Sequence, residues 1–145
     1  MGGLERAPQT PQRSEAPRET RGAPRSALLF VYGTLMRGYG LHRLLESAAT
    51  FLGDARVRGA LLDLRGYPGL VEGEGWVRGE LYRLHDAELL RTLDREEGYN
   101  FERCRADVSR TDGRRSRAWL YRYRGQRHRA VPIPDGDYRR AWPAR

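Results

Sequence analysis

Ala27-Leu-Leu-Phe-Val-Tyr-Gly-Thr-Leu35 is the stretch from which the rest of this chain is read. The aliphatic and aromatic run from Ala27 to Tyr32 stops at Gly33 and reads as a buried strand that passes directly into a glycine-containing turn. Successive backbone N–H groups in such a turn can converge into a nest that binds a carboxylate or phosphate, and glycine permits the close approach. The turn is not a phosphate loop, because GxxxxGK[ST] is absent and the chain has no lysine. Nor is it a dinucleotide fingerprint, since Gly33, Gly38 and Gly40 have the wrong spacing.

Outward from this stretch, Leu41, Leu44 and Leu45 recur at helical spacing and predict a short helix from about Leu41 to Ala48, with Gly53 in the next turn. Strands are expected at Ala55–Leu64 and Trp76–Leu84, separated by Pro68, Gly69, Gly73 and Gly75. Asp86 can cap a helix running to about Glu97, and Gly98 sits where a left-handed C-terminal residue belongs. Strands near Phe101–Ser109 and Arg117–Arg124 follow, joined by a turn at Thr111-Asp112-Gly113, and the tail from Ala130 reads as irregular. Short strands that do not alternate regularly with helices argue for an α+β fold with an antiparallel or mixed sheet.

Residues 1–26 hold Pro8, Pro11, Pro17 and Pro24, with Leu4 the only large aliphatic side chain after Met1. Such a stretch buries too little apolar surface to offset its ordering entropy and reads as a disordered Pro/Arg-rich leader, with one folded domain over 27–145. It also lacks the apolar core of a signal peptide, and the single cysteine cannot form an internal disulfide, so a cytoplasmic location is expected. The chain has 145 residues, a formal charge of +8 and 39% hydrophobic residues. Its mean hydropathy is −0.79, and no run approaches the ~18 to 20 apolar residues of a bilayer-spanning helix. All 27 basic residues are arginine, a bias that GC-rich codon usage would give any protein, so charge is a poor witness for nucleic acid, and that partner is not expected.

Among residues that could carry chemistry, Glu97 comes first. Taking about 100° per residue, Leu89, Leu90 and Leu93 define an apolar stripe; Glu97 falls inside it and Glu96 on its edge. A core-facing carboxylate in a helix's last turn meets both desolvation and the negative end of the helix dipole, and both raise its pKa toward that of a general base. Alternatively, the helix frays before Gly98 and Glu97 is a solvated partner of some arginine. Tyr121 and Tyr123 share a strand face with Trp119 and either line a pocket or fill a core. Cys104 shares a face with Ala106 and Val108 and reads as a small core residue. His42, His85 and His128 lack metal-ligand spacing, so neither metal nor cofactor is expected.

Three segments together resemble the gamma-glutamylcyclotransferase-like family, which includes gamma-glutamylamine cyclotransferases and AIG2-like proteins: Val31-Tyr-Gly-Thr-Leu35, Val77-Arg-Gly-Glu-Leu-Tyr82 and Leu93-Asp-Arg-Glu-Glu-Gly-Tyr99. Ala118-Trp-Leu-Tyr121 and Ile133-Pro-Asp-Gly-Asp-Tyr138 extend the likeness over about residues 28 to 140. The resemblance implies a compact mixed β-barrel of about six strands with flanking helices and a cavity at one end. It implies that Tyr32, Gly33, Thr34 and Leu35 hold the α-carboxylate of a gamma-glutamyl group, and Tyr121, taken as lining the pocket from its strand face, is expected as a further substrate contact. Glu97 would then be the acid/base, the same glutamate that the helical wheel selects. The implied reaction turns a gamma-glutamyl amine or gamma-glutamyl amino acid into 5-oxoproline and a free amine by intramolecular aminolysis, a transferase or lyase-type step without metal. The segment between Gly98 and Arg103 is shorter than in many members, so the pocket rim near Tyr99 is expected to differ. The rival reading is a non-catalytic binding module that holds a carboxylate-bearing small ligand in the same cavity.

Overall fold

The computed structural model describes residues 27–144. The leader expected at 1–26 lies outside the described residues. Ala27–Val31 forms the first strand, β1, whose Leu29, Phe30 and Val31 are all buried. Continuous burial explains the unbroken apolar run, because a strand covered on both faces has no polar side to alternate with.

The next strands are much longer than the sequence pattern suggests. β2 spans Ala49–Asp63 and β3 spans Pro68–Leu84, and they pair antiparallel along nearly their whole length. Gly53, expected in a turn, lies inside β2 at φ 129°, and the register with β3 slips there and again between Arg58 and Ala60. These are β-bulges, which bend and twist a strand without ending it. Gly69, Gly73 and Gly75, expected as turn punctuation, are likewise part of β3. Gly73 sits where a Cβ would come 2.8 Å from the Ala60 Cβ, so it serves close strand contact instead of a turn.

Helix α1 covers Leu89–Glu97, β4 Phe101–Arg110, β5 Arg115–Tyr123, β6 Val131–Ile133 and α2 Tyr138–Ala141. The helix expected over Leu41–Ala48 is only a 3-10 turn at Gly40–Leu44, because β2 already begins at Ala49. It still anchors through the fully buried Leu45. The tail is more ordered than its prolines imply: β6 pairs with Leu61–Asp63, and the Asp137 carboxylate caps α2 by accepting from the Arg139 N–H.

β1 pairs with β3, β3 with β2, β2 with β4 and β4 with β5, all antiparallel, and β5 then runs parallel to β1 at Leu29 and Trp119. Five strands thus close a mixed barrel, with β6 added at its side, and the expected α+β mixed barrel is what the chain forms. Closure leaves the five strands few free edges and places β1, buried on both sides, at the centre of the core. Among the described residues, no helix is long and apolar enough to cross a membrane.

Candidate active site

β1 ends at Val31, and the chain then turns sharply through Tyr32–Leu35 at one end of the barrel. The Met36 N–H donates to the Gly33 carbonyl at 3.0 Å and the Leu41 N–H to the Thr34 carbonyl at 3.0 Å, which folds the turn on itself. Among the described residues, nothing accepts from the N–H groups of Gly33, Thr34 and Leu35. Three neighbouring donors at the cavity wall therefore have no acceptor among the described residues.

The turn is tied down from beneath. Glu80 of β3, only 2% exposed, accepts from the Arg37 N–H and Nε at 3.1 Å each and from the Tyr82 hydroxyl at 2.8 Å. The Tyr32 hydroxyl donates to the Tyr121 carbonyl at 2.6 Å and accepts from the Leu70 N–H at 3.1 Å, so it bolts the turn to β5 and β3. Burial raises the Tyr32 pKa well above that of free tyrosine. Tyr32→Phe is expected to lower stability by about 2 kcal/mol, because a buried N–H and a buried carbonyl lose their partner together. A chemical denaturation midpoint checks this, and an unchanged midpoint would mean that the two groups find other partners.

The turn forms one wall of a cavity of about 290 Å³. Glu96, Glu97, Gly98 and Tyr99 at the end of α1, together with Tyr67, Pro68, Phe101 and Tyr121, form the rest of it. Helix α1 keeps its last turn: Gly98 donates its N–H to the Asp94 carbonyl at 3.2 Å and takes φ 83°, which glycine allows. Glu97 is therefore held on the buried side, and the frayed alternative does not occur. Asp86 acts one turn earlier than the helix itself, its carboxylate accepting from the Glu88 N–H at 2.9 Å.

Burial pushes the Glu97 carboxyl up to about 7, with the neighbouring Glu96 adding to the rise. Asp94 on the same helix goes the other way. Its burial also raises it, but hydrogen bonds from Arg103 at 2.8 Å and the Tyr121 hydroxyl at 2.6 Å outweigh that, and it stays below the usual carboxylate range. Two nearby carboxylates thus differ because one has donors and the other has none.

The structure brings Tyr32, Gly33, Thr34, Leu35, Glu97 and Tyr121 around one cavity. The Tyr32 and Tyr121 hydroxyls are already engaged with protein partners, so these side chains offer ring surface to the cavity. Tyr99, expected at the pocket rim, lines it together with Asn100 from the same segment, whereas Tyr67 and Pro68 also line it and were missed in the sequence, where they read only as part of a turn. Glu80 belonged to a quoted motif without a role; a carboxylate among apolar neighbours in a strand was the signal available. Cys104 packs partly buried against the core with Ala106. The His42 ring meets the Leu35 carbonyl at 2.9 Å and that of His85 meets the Thr50 hydroxyl at 2.8 Å. Among the described residues, no three His, Cys, Asp or Glu side chains converge as a metal site would require.

Residues 29–140 match the family described as gamma-glutamyl cyclotransferase, AIG2-like. The human gamma-glutamylaminecyclotransferase is 39% identical over 98 residues, covering 59% of each chain. The gamma-L-glutamyl-butirosin B gamma-glutamyl cyclotransferase of Niallia circulans is 33% identical over 103 residues, covering 66% of this chain and 65% of the other. In three dimensions, the crystal structure of the uncharacterized protein PH0828 from Pyrococcus horikoshii superposes with a TM-score of 0.66 at 30% identity, over 80% of this chain and 92% of that one. A match spanning the whole barrel, the turn and the Glu97 helix shows that this chain belongs to the gamma-glutamyl cyclotransferase, AIG2-like family.

Proposed function

We infer that this protein is a gamma-glutamylcyclotransferase that releases 5-oxoproline and an amine from a gamma-glutamyl substrate. The observation that carries the reading is that a carboxylate with a pKa near 7 and a turn with three free N–H donors face the same cavity. The turn holds the α-carboxylate of the gamma-glutamyl group, which presents the α-ammonium toward Glu97. Ionised Glu97 removes one proton, and the freed amine attacks the γ-carbonyl carbon, forming the C–N bond of a five-membered ring. The proton on Glu97 then passes to the departing nitrogen as the old amide C–N bond breaks, and the ring nitrogen, which still holds two hydrogens after its attack, gives one of them up to the freed amine, so that 5-oxoproline and an ammonium leave. Both reacting groups belong to one molecule, so the entropy of bringing them together is largely met before binding. A base that must take and return a proton near neutral pH works best with a pKa near 7, and Glu97 has it.

Mass spectrometry of 5-oxoproline release from gamma-glutamyl amines and gamma-glutamyl dipeptides tests this reading. Its pH dependence carries a second expectation. Activity in kcat/KM rises with pH through about 7 as Glu97 ionises, and Glu96→Gln moves that limb to lower pH by removing a neighbouring negative charge. A limb that stays in place in Glu96→Gln would mean that another group titrates. Folded protein that releases no 5-oxoproline but is stabilised by gamma-glutamyl ligands would establish a binding module instead.

A further inference from the structure

Past Tyr99 and Asn100 a second cleft opens beside the catalytic cavity. The two share Tyr67, Tyr99 and Asn100, and the second is lined by Arg65, Arg124, His128 and Arg129. Its walls are held by the backbone. The Leu64 N–H donates to the Tyr67 carbonyl at 2.8 Å, the Arg124 N–H to the Asn100 carbonyl at 2.7 Å and the Tyr123 hydroxyl to the Gln126 carbonyl at 2.6 Å. Arg65 sits at φ 70°, a conformation that residues other than glycine rarely hold, at the tip of the β2–β3 loop on the cleft rim.

The charge in this cleft is only partly answered. Arg124 pairs with Glu102 at 2.7 Å, whereas among the described residues no carboxylate pairs with the guanidinium of Arg65 or Arg129. Another groove leaves the cavity past Tyr99, Phe101 and Tyr121, but its Asp94 is already met by Arg103 and by the Tyr121 hydroxyl. Of these two openings, one has its carboxylate met and the other holds two guanidiniums that no carboxylate among the described residues pairs with.

We propose that the Arg65–Arg129 cleft receives a carboxylate on the leaving half of the substrate, so that the protein acts on gamma-glutamyl amino acids or short gamma-glutamyl peptides with a free C-terminus. This rests on the cyclotransferase reading above. With the gamma-glutamyl α-carboxylate in the Gly33–Leu35 turn and the scissile nitrogen at Glu97, the leaving group emerges at Tyr99 and Asn100, where the basic cleft begins. A cationic leaving group, such as a polyamine, meets repulsion there.

The test uses the full chain and matched pairs that differ only in charge: gamma-glutamyl-alanine against gamma-glutamyl-alaninamide, and gamma-glutamyl-alanyl-glycine against its C-terminal amide. Release of 5-oxoproline should favour the acid of at least one pair by about fivefold to tenfold in kcat/KM, as expected for one or two exposed charge contacts. Arg65→Ala/Arg129→Ala should bring that ratio close to one. Arg129→Glu should favour the amide, while Arg105→Ala, on another face, should keep the acid preference. Equal rates for acid and amide in both pairs, or a preference that survives the double substitution, would overturn the proposal and leave the cyclotransferase reading standing. Absence of 5-oxoproline from all four compounds, with release from gamma-glutamyl amines retained, would overturn this proposal alone, and absence from the amines as well would overturn the cyclotransferase reading and this one with it.

Discussion

Glu97→Gln is expected to lower kcat/KM for 5-oxoproline release by about a thousandfold, within the span typical of losing a general acid/base. The amide side chain keeps the shape of the cavity but can neither take a proton from the substrate amine nor return it to the leaving group. The same substitution should make the free protein more stable at high pH. Folded Glu97 holds its proton up to about 7, above the carboxyl's ordinary value of 4.5, so the folded state resists ionisation more than the unfolded chain does. That penalty is absent below the ordinary value, grows as pH rises between the two values and is constant above the higher one. A shift of this size corresponds to at most about 3 kcal/mol, and solvent at the cavity mouth brings it to about 2. Thermal melts should therefore show Glu97→Gln level with the parent at pH 4 and several degrees higher at pH 8. A variant that loses activity without this pH-dependent gain would place Glu97 in solvent, and one that keeps activity would remove it from the mechanism.

The second large effect is expected at Gly33. A Cβ there would come 2.5 Å from Pro68 Cγ and 2.9 Å from its Cδ. Pro68 is buried and opens β3, so its ring cannot rotate away, and either the turn or the strand must move. Forced overpacking of this kind costs about 1 to 3 kcal/mol. The functional cost should be larger, because a displacement of about 1 Å in a positioning element can lower the rate about a hundredfold. Gly33→Ala should raise KM for gamma-glutamyl substrates at least about tenfold, since the free N–H donors of Gly33, Thr34 and Leu35 no longer converge. Gly40→Ala is the matched control: nothing lies within 4 Å of the added Cβ, and activity should be kept. If steady-state kinetics left Gly33→Ala within threefold of the parent, the turn would not be the carboxylate site.

Much of the active cavity was legible in the sequence because its parts are local. The strand-to-turn step at Tyr32-Gly33 follows from an apolar run meeting a glycine, and the partial burial of Glu97 follows from its angular distance to Leu90 and Leu93. Helix α1 and the hairpin at Thr111-Asp112-Gly113 follow from equally local signals. Barrel closure is not local. β2 and β3 read as short strands broken by glycines, whereas in the barrel Gly53 forms a bulge and Gly73 a close strand contact, so two long curved strands result. The basic cleft is equally invisible along the chain, because Arg65 and Arg129 lie far apart in sequence and meet only where the β2–β3 loop faces the segment after β5. By itself the sequence determined which glutamate of the α1 end lies on the helix's apolar side, where the first strand passes into a glycine turn and to which family the chain is similar, since each depends on residues a few positions apart. Only the tertiary structure decided that the turn and Glu97 share one cavity, that the Tyr32 and Tyr121 hydroxyls are spent on the scaffold and that one exit is basic, because burial and charge balance depend on contacts between distant segments.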